Sequence, residues 1–175
     1  KYMQFTFSEA NLLPDHHPEN IIYDEFINIF GEEGNLIVIA VKDTTFFNRD
    51  KFNKWNTFNQ SINDFPEVDF VLSIKNIQEL VKDNIKNQFQ VKPVFENKTF
   101  DEKSIEQLKE KLFLELPFYE NILYSKDEKT IRTAIYLDKE IVNTVQRKNF
   151  IFKTFIPLVE SFEEETGLDV KVSGM

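Results

Sequence analysis

The period of apolar and polar positions changes several times along this chain, and each change marks an element. The longest Pro-free apolar run is Leu36-Ile37-Val38-Ile39-Ala40-Val41, preceded by Gly31 and Gly34 and closed by Lys42-Asp43. A short, continuous, β-branched run with glycine ahead and charge behind predicts a strand covered on both faces. Ahead of it, Ile22, Phe26, Ile29 and Phe30 repeat at helical spacing, and Gly31 suits the position just past a helix end. That spacing predicts a helix over 20–30. Behind the run, Asn48 can cap a helix whose Phe52, Trp55, Asn59 and Ile62 share one side, with Asp50, Lys51, Lys54 and Asn63 mostly opposite. Phe65-Pro66 ends this helix and 68–74 reads as a second strand. Strand, helix, strand is a βαβ unit, expected to be right-handed.

The stretch 75–100 is the least regular. Ile77, Leu80, Val81 and Ile85 suggest a short amphipathic helix, followed by an extended polar segment with Pro93. A third helix is predicted over 101–116, with the stripe Ile105, Leu108, Leu112 and Leu116; Pro117 stops it. Thr99 with Glu102 and Asp101 with Ser104 offer competing caps. Ile122–Tyr124 and Thr130–Leu137 then flank the polar tip Ser125-Lys126-Asp127-Glu128-Lys129, a hairpin signal that lacks glycine. A long helix follows over 145–166, with Phe152, Phe155, Val159 and Phe162 on one face and Pro157 either kinking it or dividing it. Gly167 ends it, and Leu168–Val172 alternates like a half-buried strand.

This order predicts an α+β fold, a ferredoxin-like split βαβ sandwich with a mixed sheet and helices mainly on one face. The chain divides into an N-terminal connector at 1–19, a first βαβ half at 20–74, an insertion or linker at 75–100 and a second half at 101–175. Helices on one face leave the other to be covered by further protein, which would reconcile this fold with the doubly covered look of Leu36–Val41.

Composition narrows the function. At 175 residues the chain can bury a full core without staples, and it has no cysteine, hence no disulfide, thiol nucleophile or thiolate metal site. Its net charge of −9, with no basic stripe, argues against nucleic acid and against docking on anionic membrane surfaces. No apolar run is long enough to span a bilayer, and no signal peptide is visible. Beginning at Lys1 and ending at Gly174-Met175, the chain reads as a piece of a longer protein. Phenylalanine is abundant, 19 residues against 5 Tyr and 1 Trp, which fits either an aromatic core or a path for an apolar ligand.

Chemistry is sparse. His16 and His17 are adjacent in a Pro-flanked connector, where neighbouring side chains diverge and chelate one ion poorly. With histidine confined there, a hydrolase triad lacks its base. Four glycines build neither a dinucleotide fingerprint nor a phosphate loop. Glu32-Glu33 and Glu163-Glu164-Glu165 sit at predicted helix ends, where solvated termini explain them. No enzyme and no cofactor or metal site is expected. Phe46-Phe47 and Phe118-Tyr119, both in predicted loops, are the aromatic pairs placed to meet an apolar ligand; the alternative is that they pack beneath their loops.

Taken together, these features resemble the first large extracytoplasmic loop of RND-superfamily exporters of the MMPL-like type. Leu12-Leu13-Pro14 with Asp15-His16-His17-Pro18 looks like the segment after the first membrane helix, and Phe30-Gly31 leading into Leu36–Val41 like the first porter strand. Phe65-Pro66-Glu67-Val68 and the stretch from Phe162 to Gly174-Met175 look like later elements of that loop. Residues 75–100 and the doubled histidine match it least. The resemblance implies a periplasmic porter domain of an inner-membrane, proton-driven exporter of hydrophobic or lipid-like molecules, forming part of the substrate route. Its partners would be that substrate, the second extracytoplasmic loop and the membrane helices of the same parent protein, with a homo-oligomer open. The proton-relay acids of the family lie in membrane helices and fall on no residue here. The other expectation is a stand-alone soluble extracytoplasmic module binding an apolar ligand.

Overall fold

The computed structural model describes residues 17–18, 21–22, 34–83, 86–95, 99–125 and 129–174. The helix expected over 20–30 and most of the N-terminal connector, His16 included, lie outside the described residues; among those described there, Ile21 and Ile22 are helical and exposed.

The fold is α+β, built on antiparallel sheets and three helices among the described residues. Strand β1 is Leu36–Lys42, helix α1 Arg49–Asn63, and strand β2 Val68–Leu72. Strands β3 (Gln78–Asp83) and β4 (Gln88–Pro93) follow, then helix α2, Glu102–Glu110, which runs on into a wide π-type turn at Lys111–Glu115. Short β5 (Tyr124–Ser125) and long β6 (Thr130–Leu137) come next. Helix α3 runs through Val145–Phe150, a wide turn at Ile151–Phe155 and Ile156–Thr166, and β7 is Val170–Ser173.

The main sheet has the order β2-β6-β1-β7, with β5 on the tip of β6. β1 pairs antiparallel with β6, Leu36 opposite Tyr136 and Lys42 opposite Thr130, and antiparallel with β7 on its other side. β2 also pairs antiparallel with β6. The mixed sheet expected from the βαβ pattern is therefore corrected. β1 and β2 do run in the same direction, as a helical crossover requires, but β6 lies between them and opposes both. β6 and β7 are likewise separated by β1.

Local signals explain the helices. The Asn48 side chain accepts from Asp50 N at 3.0 Å and caps α1. Asp101 and Ser104 form the reciprocal capping box of α2, which resolves the competing cap choices. Gly167 closes α3 in the left-handed region, φ 69°, where a side chain would be strained. Phe52, Trp55, Phe58 and Ile62 of α1 are buried on Ile37, Ile39 and Val41 of β1 and on Phe155, Val159 and Phe162 of α3. Each such side chain contributes about 1.5–3 kcal/mol by leaving water. Phe58 and Phe162 stack at 4.3 Å, with Trp55 set against both.

Three further expectations are corrected. β1 is not covered on both faces: Ile37, Ile39 and Val41 are buried, whereas Leu36, Val38 and Ala40 are half-buried beside Ala134, Tyr136 and exposed Phe70. The helices contribute to the core on the other side. The helix expected around 77–85 is, over its described residues, strand β3, paired with β4 in a separate two-stranded sheet with Leu80 opposite Val91; Ile85 lies outside the described residues. In this sheet Leu80, Phe89 and Val91 are exposed, and Val81, on the opposite face, is half-buried. Phe152 is exposed instead of sharing the face of Phe155, Val159 and Phe162. The wide turn one residue earlier, where Ile156 N–H reaches back to Ile151 O, adds a residue to that turn and rotates Phe152 outward while Phe150 and Ile151 turn in. It sits just ahead of Pro157, which has no N–H to continue the regular ladder, so α3 is re-phased and continues.

Candidate functional site

The loop leaving β1 is folded by one carboxylate. Asp43 accepts from Thr45 N at 2.6 Å and Thr45 Oγ1 at 2.7 Å, and takes the Lys51 ammonium at 2.7 Å. The Lys51 hydrogen bond is the largest influence holding the Asp43 carboxyl below its ordinary pKa; partial burial opposes it and the Thr45 bonds add to it. The turn is completed by Phe46 N donating to Asp43 O and Asn48 N to Thr45 O. This geometry sends adjacent aromatics in different directions. Phe46 is 1% exposed and meets Phe52 and Trp55 edge-on at 5.9 and 5.7 Å, so it belongs to the core. Phe47 stands at the edge of the core, stacked on Phe52 at 5.8 Å.

Phe47 forms one wall of a cavity of about 420 Å3 between the β1 loop, the end of α2 and the β5–β6 hairpin. The wide turn after α2 builds the facing wall. Phe113 meets Phe47 edge-on at 5.8 Å and Tyr124 at 4.9 Å, and Leu114 stands 73% exposed at the mouth. Ile131 lies buried beneath. Burial chiefly, with Glu120 nearby, pushes the Tyr124 phenol up, so it stays protonated and donates to Leu116 O at 3.2 Å.

Two of the three charged residues in the lining are cationic. Lys109 holds its ammonium 5.9 Å above the Phe47 ring while bonded to Glu106 at 2.9 Å, and Lys129 enters from the start of β6 with φ 53°. Asp43, the one carboxylate among these residues, is already engaged by Lys51 and Thr45. Thr44 and Ser125 complete the lining. An apolar trough with two ammonium groups can hold a greasy body and fix a polar end. Among the described residues no cluster of His, Asp and Glu could hold a metal ion.

A larger groove, about 1050 Å3, lies between the N-termini of α1 and α2. It is polar, and each helix end is already closed by its own cap, Asn48 and Asp101. Asn53 spans it as a structural clamp, donating to Phe100 O at 2.8 Å and accepting from Phe100 N at 2.9 Å.

Of the four aromatics singled out in the sequence, Phe47 alone lines the cavity. Phe118 is 76% exposed at the surface. Tyr119 ties down the root of the β3–β4 hairpin, its hydroxyl donating to Gln78 O at 2.7 Å and accepting from Gln78 N at 3.1 Å. Phe113, Leu114, Lys109 and Lys129 were not anticipated. The available signal was Phe113-Leu114, two apolar residues that fall off the Ile105, Leu108, Leu112, Leu116 stripe. No family model, no curated protein and no solved structure matches the chain. None of the described helices is long and apolar enough to cross a membrane.

Proposed function

We propose that this chain is the extracytoplasmic porter domain of a proton-driven, RND/MMPL-like membrane exporter of hydrophobic or lipid-like molecules. In this reading its main sheet is a ferredoxin-like split βαβ unit, and 75–100 is an insertion between the two halves. The carrying observation is the sheet itself. With order β2-β6-β1-β7, each crossover helix joins two codirectional strands separated by one opposing strand, and the three helices share a core on one side. Leu36, Val38, Leu72, Tyr136 and Phe70 are left on the other face, Phe70 stacked on Tyr136 at 4.2 Å and still 45% exposed. Such an apolar sheet face suits a second loop of the same parent protein. The second reading, a free-standing module for an apolar ligand, draws on the Phe47–Phe113 cavity, which the chain forms by itself.

The test is the coding sequence on either side of this chain. An apolar run of about 20 residues upstream of Lys1 and several soon after Met175 are expected. A signal peptide immediately before Lys1 and a stop codon directly after Met175 would overturn the porter reading in favour of the free-standing module.

A further inference from the structure

We infer that the Phe47–Phe113 cavity binds a single-chain amphiphile with an anionic oxygen head, the head held by Lys109 and Lys129 and the tail laid against Phe47, Phe113 and Leu114. The inference concerns a cavity this chain forms alone and holds for either reading of the parent protein.

Size sets the first limit. A volume of about 420 Å3 lies near the small end of ordinary ligand pockets, roughly 300–1,000 Å3, which suits one alkyl chain and not two. Wall chemistry sets the second. Phe47 and Phe113 present ring surface, Ile131 closes the bottom, and Leu114 stands 73% exposed at the mouth without a role in the core. An alkyl tail would remove that leucine from water.

Charge sets the third. Among the described residues of the lining, a cationic head would meet two ammonium groups and one carboxylate that already has Lys51 and Thr45 as partners. An anionic head meets Lys129 at the rim and Lys109 above the ring. The present partner of Lys109, Glu106, is 74% exposed, so their bond is a weak surface pair that a head group can displace. Fatty acids and single-chain phosphates share this chemistry, an anionic oxygen head on one tail, singly charged in the first and close to doubly charged in the second near neutrality.

The experiment is isothermal titration of the chain at low ionic strength with dodecanoate and dodecyl phosphate below micelle formation. Dodecanol and dodecyltrimethylammonium are the matched neutral and cationic probes. Saturable one-site binding of at least one anion is expected, with dodecanol weaker and the cation weaker by about tenfold or more. A preference for dodecanoate assigns a carboxylate head, and a preference for dodecyl phosphate a phosphate head. Lys129→Asn and Lys109→Gln should each weaken the anions several-fold and leave dodecanol unchanged. Asparagine is chosen at 129 because it tolerates the left-handed backbone there. Leu114→Glu, at an exposed position, should abolish binding of the anions while thermal unfolding stays that of the parent chain. Equal binding of anion and cation, loss of dodecanol binding in the lysine variants, or no saturable binding of either anion would overturn the inference. None of these outcomes touches the test of the flanking sequence.

Discussion

Asn59 offers a perturbation whose sign runs against the usual cost of core substitution. It lies on the inner face of α1 with Trp55 and Ile62, 3% exposed, and among the described residues neither its amide nitrogen nor its carbonyl oxygen has a hydrogen-bond partner. A buried amide left unpaired costs about 1–3 kcal/mol. Leucine branches at the same carbon with the same number of heavy atoms, though its tetrahedral methyls take more room, and it adds a few tenths of a kcal/mol of helix propensity. Against this stands a cost of up to about 1.5 kcal/mol for fitting the bulkier methyls into a close-packed core. Asn59→Leu should therefore stabilise the fold by about 1 kcal/mol, raising Tm by about 2–4 °C for a chain of this size. Thermal unfolding followed by circular dichroism, with urea titration to check an unchanged m, measures it. The matched control is Asn53→Leu on the same helix. Its amide makes both bonds to the Phe100 backbone, so its loss should cost about 2 kcal/mol. A fall in Tm for Asn59→Leu would refute the reasoning, because it would mean that the unpaired amide costs less than fitting the bulkier leucine.

Three shorter expectations follow. Asp43 has a depressed folded-state pKa, so its contribution is full above the ordinary value of 3.8 and fades as pH falls through the folded value. Asp43→Asn should thus cost about 1 kcal/mol near neutrality, with the gap to the parent chain closing below pH 3.8 in acid unfolding curves. Tyr119→Phe removes both bonds to Gln78; amide exchange over β3–β4 should quicken about fivefold to tenfold while β1 and β6 are unaffected. Gly174 has φ 87°, and a Cβ there would press into the Leu36 carbonyl oxygen. Gly174→Ala should cost at least about 1 kcal/mol in thermal unfolding, since both the backbone angle and the contact oppose it.

Where the determinants were local, the sequence could be read directly. Asn48, the Asp101–Ser104 box, Pro117 and Gly167 fix helix ends through hydrogen bonds or backbone angles that each residue carries with it. Pairing partners are not local. Nothing in Leu36–Val41 says that β6 will lie on one side and β7 on the other, so the antiparallel pairing was not legible, whereas the element order did lead to helices mainly on one face and an open face opposite. In 78–83, apolar residues sit at 80 and 81 together, a doublet compatible with a helix face as much as with two strand faces. Cross-strand contact of Leu80 with Val91 decides between them only in three dimensions. Of the candidate aromatics, Phe46 and Phe47 are indistinguishable by type and neighbourhood. The Asp43 turn separates them, turning one inward and leaving the other at the cavity.

The central place of β1 also shapes how the chain reaches this fold. β1 is the earliest described strand, yet its two neighbours, β6 and β7, are the last, with the whole of α1, the hairpin and α2 between. On a ribosome, the β-branched run Leu36–Val41 leaves the exit tunnel long before anything can pair with it. Closing so long a loop is entropically slow, and in the interval an unpaired apolar strand is open to other nascent chains. Synthesis of this fold would therefore depend on whatever holds that strand apart until residue 137 and then residue 173 have emerged.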